Sequence, residues 1–260
     1  MRHAKRQAMA QEAAKEKRKG NERSLALIRG LVAFSFVGLL GFAGYQLLVH
    51  PDTPLPPEWN PTRPLVVGQP VTALTAWKLN RAQASTGACL AAVDGFASLQ
   101  VMSDLQDNAQ CGIEGRVSLR SVGDTRMTPL ETRCAIALRM AMWERHGLQP
   151  AARDILGTTL ARVDQAGSYN CRTIRTTAGP SSRMSTHATA DAIDITGFSF
   201  ADGRQISLLR DWDGNGPDAA FLRAARDSAC DWFRVTLSPD YNALHADHFH
   251  LQSTGWGLCR

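Results

Sequence analysis

The 260-residue sequence predicts an α+β domain carried behind a single membrane helix, and three observations support that reading. Helical stripes and short alternating runs are mixed without the regular β-α succession that builds a parallel sheet. One run of 20 residues, Gly30 to Val49, holds no charge. All six cysteines, at positions 89, 111, 134, 171, 230 and 259, lie downstream of that run.

Residues 1–29 form a basic tail in which nine Lys or Arg face three Glu. That is +6, so the chain's formal +5 leaves −1 for everything after it. A nearly neutral body behind a basic tail excludes a nucleic-acid-binding domain, which needs its cations on the folded part. Residues 30–49 match the length of a bilayer-spanning helix. A secretory signal has a shorter apolar core and a small-residue cleavage site, which this stretch lacks. Lys and Arg precede the span, so the tail is expected in the cytoplasm and the rest exported, a single-pass inner-membrane topology with a periplasmic C-terminal domain. Residues 50–70 carry seven prolines and read as a stiff, extended linker. An even number of cysteines on the exported side suggests disulfides, whose pairing spacing does not determine.

The exported domain is expected over 71–260, long enough for one core. "TPLETRCAIALRMAMWERHG" predicts a helix with Thr128 as N-cap, Glu131 completing a capping box and Gly147 beyond its end. His146 would then be a cation near the helix C-terminus. A second helix is predicted from Asp218 to about Arg234, with Phe221, Leu222, Ala225, Cys230 and Phe233 inward. "DWDGNG" has the first half of a calcium loop, but Leu222 stands where the closing Glu belongs, so it reads as a surface turn.

Two stretches carry the chemistry. In "SRMSTHATADAIDITGF", Ala190, Ala192 and Asp194 alternate with Asp191, Ile193 and Ile195 as in a strand, leaving space on the Asp194 face. "HADHFHL", His245 to Leu251, is compatible with a metal site, an acid/base pair or a polar strand. A zinc enzyme needs three protein ligands and an open position. His245 is either a further polar contact or solvated.

The stretch Ser185 to Asp194, "STHATADAID", resembles the S-x-H-x-x-G-x-A-x-D signature of zinc D-Ala-D-Ala peptidases, a group with lysostaphin-type and Hedgehog-fold members. Only Ala190 departs, standing where the signature has glycine. With "QCGI" at Gln110, "GSYNCR" at Gly167, "HADHFHL" and the terminal "CR", the chain more closely resembles the extensin-like C-terminal domain family over roughly 89–260. The resemblance implies a Hedgehog or D,D-peptidase-like fold with a small antiparallel sheet carrying a zinc site. It implies His187, Asp194 and His250 as Zn²⁺ ligands, Asp247 as general base, His248 as oxyanion stabiliser and Arg172 as the grip on a substrate carboxylate or carbonyl. Two nitrogens and one carboxylate favour zinc over magnesium.

The expectation is a membrane-anchored zinc peptidase hydrolysing amide bonds in peptidoglycan stem peptides or cross-links. The rival is a non-catalytic wall-binding or scaffold domain that keeps the fold. A third reading, a disulfide-stapled assembly factor, predicts no bound zinc.

Overall fold

The computed structural model describes residues 2–260 and divides them after Thr62 into two compact units. The first is dominated by α1 (Arg2–Val49), in which Ala14–Val49 is long and apolar enough to cross a membrane. The prolines that follow do not hold the chain extended. Pro57–Trp59 forms a 3-10 turn, and the Leu48 carbonyl accepts hydrogen bonds from Asn60 Nδ2 at 2.7 Å and Thr62 Oγ1 at 3.0 Å. A carbonyl near a helix end has no partner within the helix, so nearby side-chain donors satisfy it. The linker also ends sooner than position 70, because Leu65 and Val67 are buried in the core of the second unit.

That unit begins with two short helices, α2 (Thr75–Ala82) and α3 (Thr86–Val93), the latter capped by Ser85 Oγ. Five strands follow: β1 (Ala97–Val101), β2 (Leu105–Gln106), β3 (Gly112–Ile113), β4 (Arg116–Val122) and β5 (Thr125–Arg133). The predicted helix over 128–147 is therefore corrected at its start. Leu130 and Glu131 pair across to Leu119 and Ser118 of β4, and Glu131 bonds Arg116 instead of closing a capping box. Cross-strand pairing overrides a local N-cap pattern worth only about 1 kcal/mol.

The helix α4 starts at the disulfide-bonded Cys134 and runs to Trp143. It does not stop at Gly147. A π-helical turn, Glu144–Leu148, leads into α5 (Gln149–Leu156), which ends at Gly157 in the left-handed region. Gly147 serves close packing, since a Cβ there would meet Ser228 Oγ at 2.6 Å. His146 is no terminal cation: burial lowers its pKa, and its Nε2 lies 2.7 Å from the Val67 carbonyl.

The remaining elements are β6 (Leu160–Gly167), the hairpin β7 (Thr173–Thr176) and β8 (Gly179–Met184), β9 (Ala192–Phe200), β10 (Gln205–Ser207), α6 (Leu208–Asp211), α7 (Pro217–Trp232), β11 (Val235–Leu237), β12 (Phe249–Gln252) and β13 (Leu258–Cys259). The class is α+β as expected, but the main sheet is neither small nor purely antiparallel. It has nine strands in the order β1-β4-β5-β6-β9-β12-β11-β13, with β10 beside β9. The pairs β5/β6 and β11/β13 are parallel. In the "DWDGNG" turn, Asp211 Oδ2 accepts from Ser207 N at 2.7 Å.

One apolar cluster joins this sheet to its helices. Ile193, Ile195, Phe198 and Phe200 of β9, with Phe249 and Leu251 of β12, pack with Ile136, Leu138 and Trp143 of α4 and Phe221 and Leu222 of α7. Each such side chain, fully buried, contributes roughly 1.5–3 kcal/mol. Because strand side chains alternate, Asp194 on β9 and His250 and Gln252 on β12 project from the other face. Disulfides join Cys89 to Cys134, Cys111 to Cys171 and Cys230 to Cys259.

Candidate metal centre

Asp194 and His250 are direct partners in the antiparallel pair β9/β12. Their facing positions bring His250 Nδ1 to 2.8 Å from Asp194 Oδ1. His187 reaches them from a 3-10 turn, Thr186–Thr189, whose start is capped by the Ser185 hydroxyl and whose end is Ala190. Ala190 adopts φ 50°, the left-handed region, and among the described residues it is the one non-glycine to do so. The turn needs this reversal to send the chain from the His187 ring into β9, and alanine carries a strain of roughly 1–2 kcal/mol there.

His187 is 3% exposed and His250 8%. His187 Nδ1 lies 2.8 Å from the Ser168 carbonyl, which can only accept, so that nitrogen bears the ring proton and Nε2 presents its lone pair. His187 Nε2 lies 3.1 Å from His250 Nδ1 and 3.2 Å from Asp194 Oδ2. A tetrahedral zinc site with bonds of 2.0–2.1 Å has ligand-ligand edges of about 3.3 Å, close to these separations. When both imidazoles are neutral, the His187 Nε2 to Asp194 Oδ2 approach brings a lone pair against a carboxylate with no proton between them. A proton or a cation relieves that contact. Burial alone would raise the Asp194 pKa, but the adjoining His187 and His250 rings, as hydrogen-bond partners and as charges when protonated, outweigh it and hold the carboxyl far below its usual range. For His250 burial is the largest influence and lowers the pKa, against the pull of Asp194. An ionised carboxylate with two neutral imidazoles is the donor state a zinc ion requires.

With this geometry in view, the comparisons place the chain. The family model described as "Extensin-like protein C-terminus" matches residues 87–260. The chain belongs to this family. No curated protein and no solved structure matches it.

Around the cluster, the extensin-like domain builds a frame that sequence reading did not anticipate. The Asp191 carboxylate accepts from Arg133 Nη1 at 2.9 Å, Thr189 Oγ1 at 2.7 Å and Ser253 Oγ at 3.0 Å. The Asp191 carbonyl also accepts from Ser253 N at 2.9 Å. This clasp ties the His187 turn to the end of β5 and to the residue that follows β12. Ser168, beyond supplying its carbonyl, bridges Thr132 and the Ala192 carbonyl through its hydroxyl. Gln252, two residues past His250 on the same strand face, places its amide 2.7 Å from His250 Nε2. Its position could have been read from the period-2 alternation of "HFHLQ". Asp191 and Ser168 gave no comparable signal, because their roles depend on segments distant in sequence.

The structure places the other predicted residues at the rim of the extensin-like domain's cluster. Asp247 lies in the turn that precedes β12, with its side chain 61% exposed. It is 2.7 Å from His248 Nδ1, and His248 Nε2 in turn lies 3.7 Å from Asp194 Oδ1. Asp247 therefore addresses the cluster through His248. Arg172 follows the disulfide-bonded Cys171 and is half-buried, which lowers its pKa; Arg175 adds to that and Asp194 opposes it. His245 is not simply solvated. Its ring packs against His248 at 5.2 Å and His250 at 5.8 Å, and burial with those two neighbours lowers its pKa to about 4.

Proposed function

We propose that this extensin-like domain is a zinc peptidase that hydrolyses amide bonds in peptidoglycan stem peptides or cross-links, held at the inner membrane by α1 with the domain in the periplasm. The observation that carries the reading is the convergence of His187 Nε2, Asp194 and His250 Nδ1, buried and short of protons, at separations a zinc ion matches. The wall substrate and the relation to zinc D-Ala-D-Ala peptidases rest on the signature from Ser185 to Asp194 and on the basic tail before the apolar span.

A zinc ion in this site supplies a Lewis acid for the scissile carbonyl and lowers the pKa of water to roughly 7. The chain's own residues do the remainder. The Asp247–His248 pair accepts the proton of the attacking water and returns it to the leaving amine, Asp247 orienting the ring and His248 Nε2 facing the cluster. Arg172 binds the substrate's carboxylate or carbonyl, a task to which a bidentate guanidinium is suited. As tetrahedral charge develops, Arg172 and protonated His248 stabilise it.

The test uses the full chain in detergent, with zinc measured by elemental analysis and isolated peptidoglycan digested by wild type and Asp247→Ala. The expected result is about one zinc per chain in both proteins and new muropeptides with wild type alone. Zinc without products favours a binding module that keeps the metal; no zinc in wild type sinks the enzyme reading.

A further inference from the structure

The Gln252 amide touches a ring nitrogen that the metal reading leaves unused. His250 turns Nδ1 toward Asp194 Oδ1 and His187 Nε2, so its Nε2 points away, and Gln252 covers it at 2.7 Å. A neutral imidazole carries one proton, and that proton changes nitrogen when the ring becomes a ligand. Without a cation, Nδ1–H donates to Asp194 and Nε2 needs a donor. With a cation at Nδ1, the proton resides on Nε2, which needs an acceptor. A carboxylate offers only the second partner and an ammonium only the first. An amide offers both, exchanging its NH₂ for its oxygen by rotation about the last side-chain torsion.

We infer that Gln252 is a positioning residue that follows the tautomer of His250, donating to Nε2 in the metal-free protein and accepting from Nε2–H in the metal-bound one. The inference rests on the metal-centre reading and deepens it. It explains how the site can be stable without its ion and still bind it: one side chain satisfies the ring in both states, and the strand does not have to move. The register supports this. Gln252 stands opposite Ala192, whose methyl leaves the amide room, and β12 is paired on both sides, with β9 and with β11, so the backbone on which both side chains stand is held. His187 has a different arrangement. Its Nδ1 is held by the Ser168 carbonyl, an acceptor in either state, so that ring keeps one tautomer throughout.

The test is made on the full chain in detergent with Zn²⁺ as the probe. Nitrogen-15 spectra of the histidine rings are recorded without and with zinc, and zinc affinity is measured by chelator competition for wild type, Gln252→Glu and Gln252→Leu. The expected result is that the His250 proton moves from Nδ1 to Nε2 on zinc binding while the His187 proton stays on Nδ1. Because the amide partners the ring in both states, Gln252→Leu is expected to change zinc affinity little while lowering the unfolding midpoint with and without zinc. Gln252→Glu, which can accept but not donate, leaves only the metal-free ring without a partner and is expected to bind zinc roughly 10–100-fold more tightly, the scale on which partners behind a ligand act. A large loss of affinity in Gln252→Leu, unchanged affinity in Gln252→Glu, or one His250 tautomer in both states overturns the inference while leaving the metal centre standing. A wild type that takes up no zinc overturns both.

Discussion

Two buried polar clusters in the second unit have opposite constructions. At one, Glu144 accepts from Thr125 Oγ1 at 2.9 Å and Gln149 Nε2 at 2.9 Å, and Gln149 Nε2 also reaches the Leu160 carbonyl at 3.0 Å while its oxygen accepts from Leu160 N at 3.3 Å. Donors meet acceptors, and the network closes upon itself. At the other, His187 Nε2 and the Asp194 carboxylate share a single proton, the one that His250 Nδ1 can donate, and the N–H of His187 is directed outward to Ser168. Burial is similar in kind, yet the first cluster is satisfied within itself and the second has more acceptors than protons. The difference teaches that a polar interior becomes a ligand site by a deficit of protons at its centre, not by its number of charged residues.

The largest effect expected from breaking this contrast is at Asp194. Asp194→Ala leaves two imidazoles and one fewer anion, and the zinc content measured on the purified full chain should fall from about one per chain to near none. A variant that retains stoichiometric zinc would remove the ligand assignment. The closed cluster should respond in the other currency. Gln149→Leu leaves the Glu144 carboxylate short of a donor and should cost about 1–3 kcal/mol in denaturant unfolding while zinc affinity is unchanged.

Its pH behaviour has a definite sign. Burial, acting against the hydrogen bonds from Gln149 and Thr125, raises the Glu144 pKa above its ordinary value of 4.5. A carboxyl raised on folding contributes stability below the unfolded pKa and loses it as pH rises through the folded value. Glu144→Gln keeps an acceptor oxygen for both donors, so its stability should be flatter than that of wild type over the range just above pH 4.5, read from unfolding midpoints. A wild-type profile that rises with pH through the Glu144 titration, with the same slope in the variant, counts against this assignment.

The smallest effect concerns the turn beneath His187. Ala190→Gly relieves a left-handed strain of roughly 1–2 kcal/mol and adds roughly 0.5–1 kcal/mol of unfolded-state entropy, so a net gain of about 0.5–1 kcal/mol is expected. A loss of stability would show that the Ala190 methyl contributes more by packing than its φ costs.

The parts of the molecule legible in the sequence were those set by short-range spacing. The apolar span and the α7 stripe each follow from a few consecutive residues. His187, Asp194 and His250 were also named beforehand, through the resemblance, and the strand pair β9/β12 accounts for their proximity. What escaped was decided by register. Thr128, Pro129 and Glu131 form a good helix start in isolation, but β4 lies alongside and takes them into a strand. Asp191 looks like the buried-face alternate of Asp194, yet Ala190 ends a turn and the strand begins only at Ala192, which frees Asp191 to clasp Arg133 and Ser253. Gln252 acquires meaning only when His250 is known to turn its Nδ1 inward.

The disulfide pattern has a further consequence for how the domain is made. Cys89–Cys134 and Cys111–Cys171 interleave along the chain, whereas Cys230–Cys259 stands apart. A polypeptide emerging N-terminus first presents Cys89 and Cys111 before either native partner exists, so oxidation in order of appearance joins the wrong two. The native pair of bonds is reached by holding those thiols reduced until α4 and the segment before β7 have been delivered, or by thiol-disulfide exchange afterwards. Arg172 follows one of those late-paired cysteines, so the rim of the site is completed only when this ordering problem has been solved.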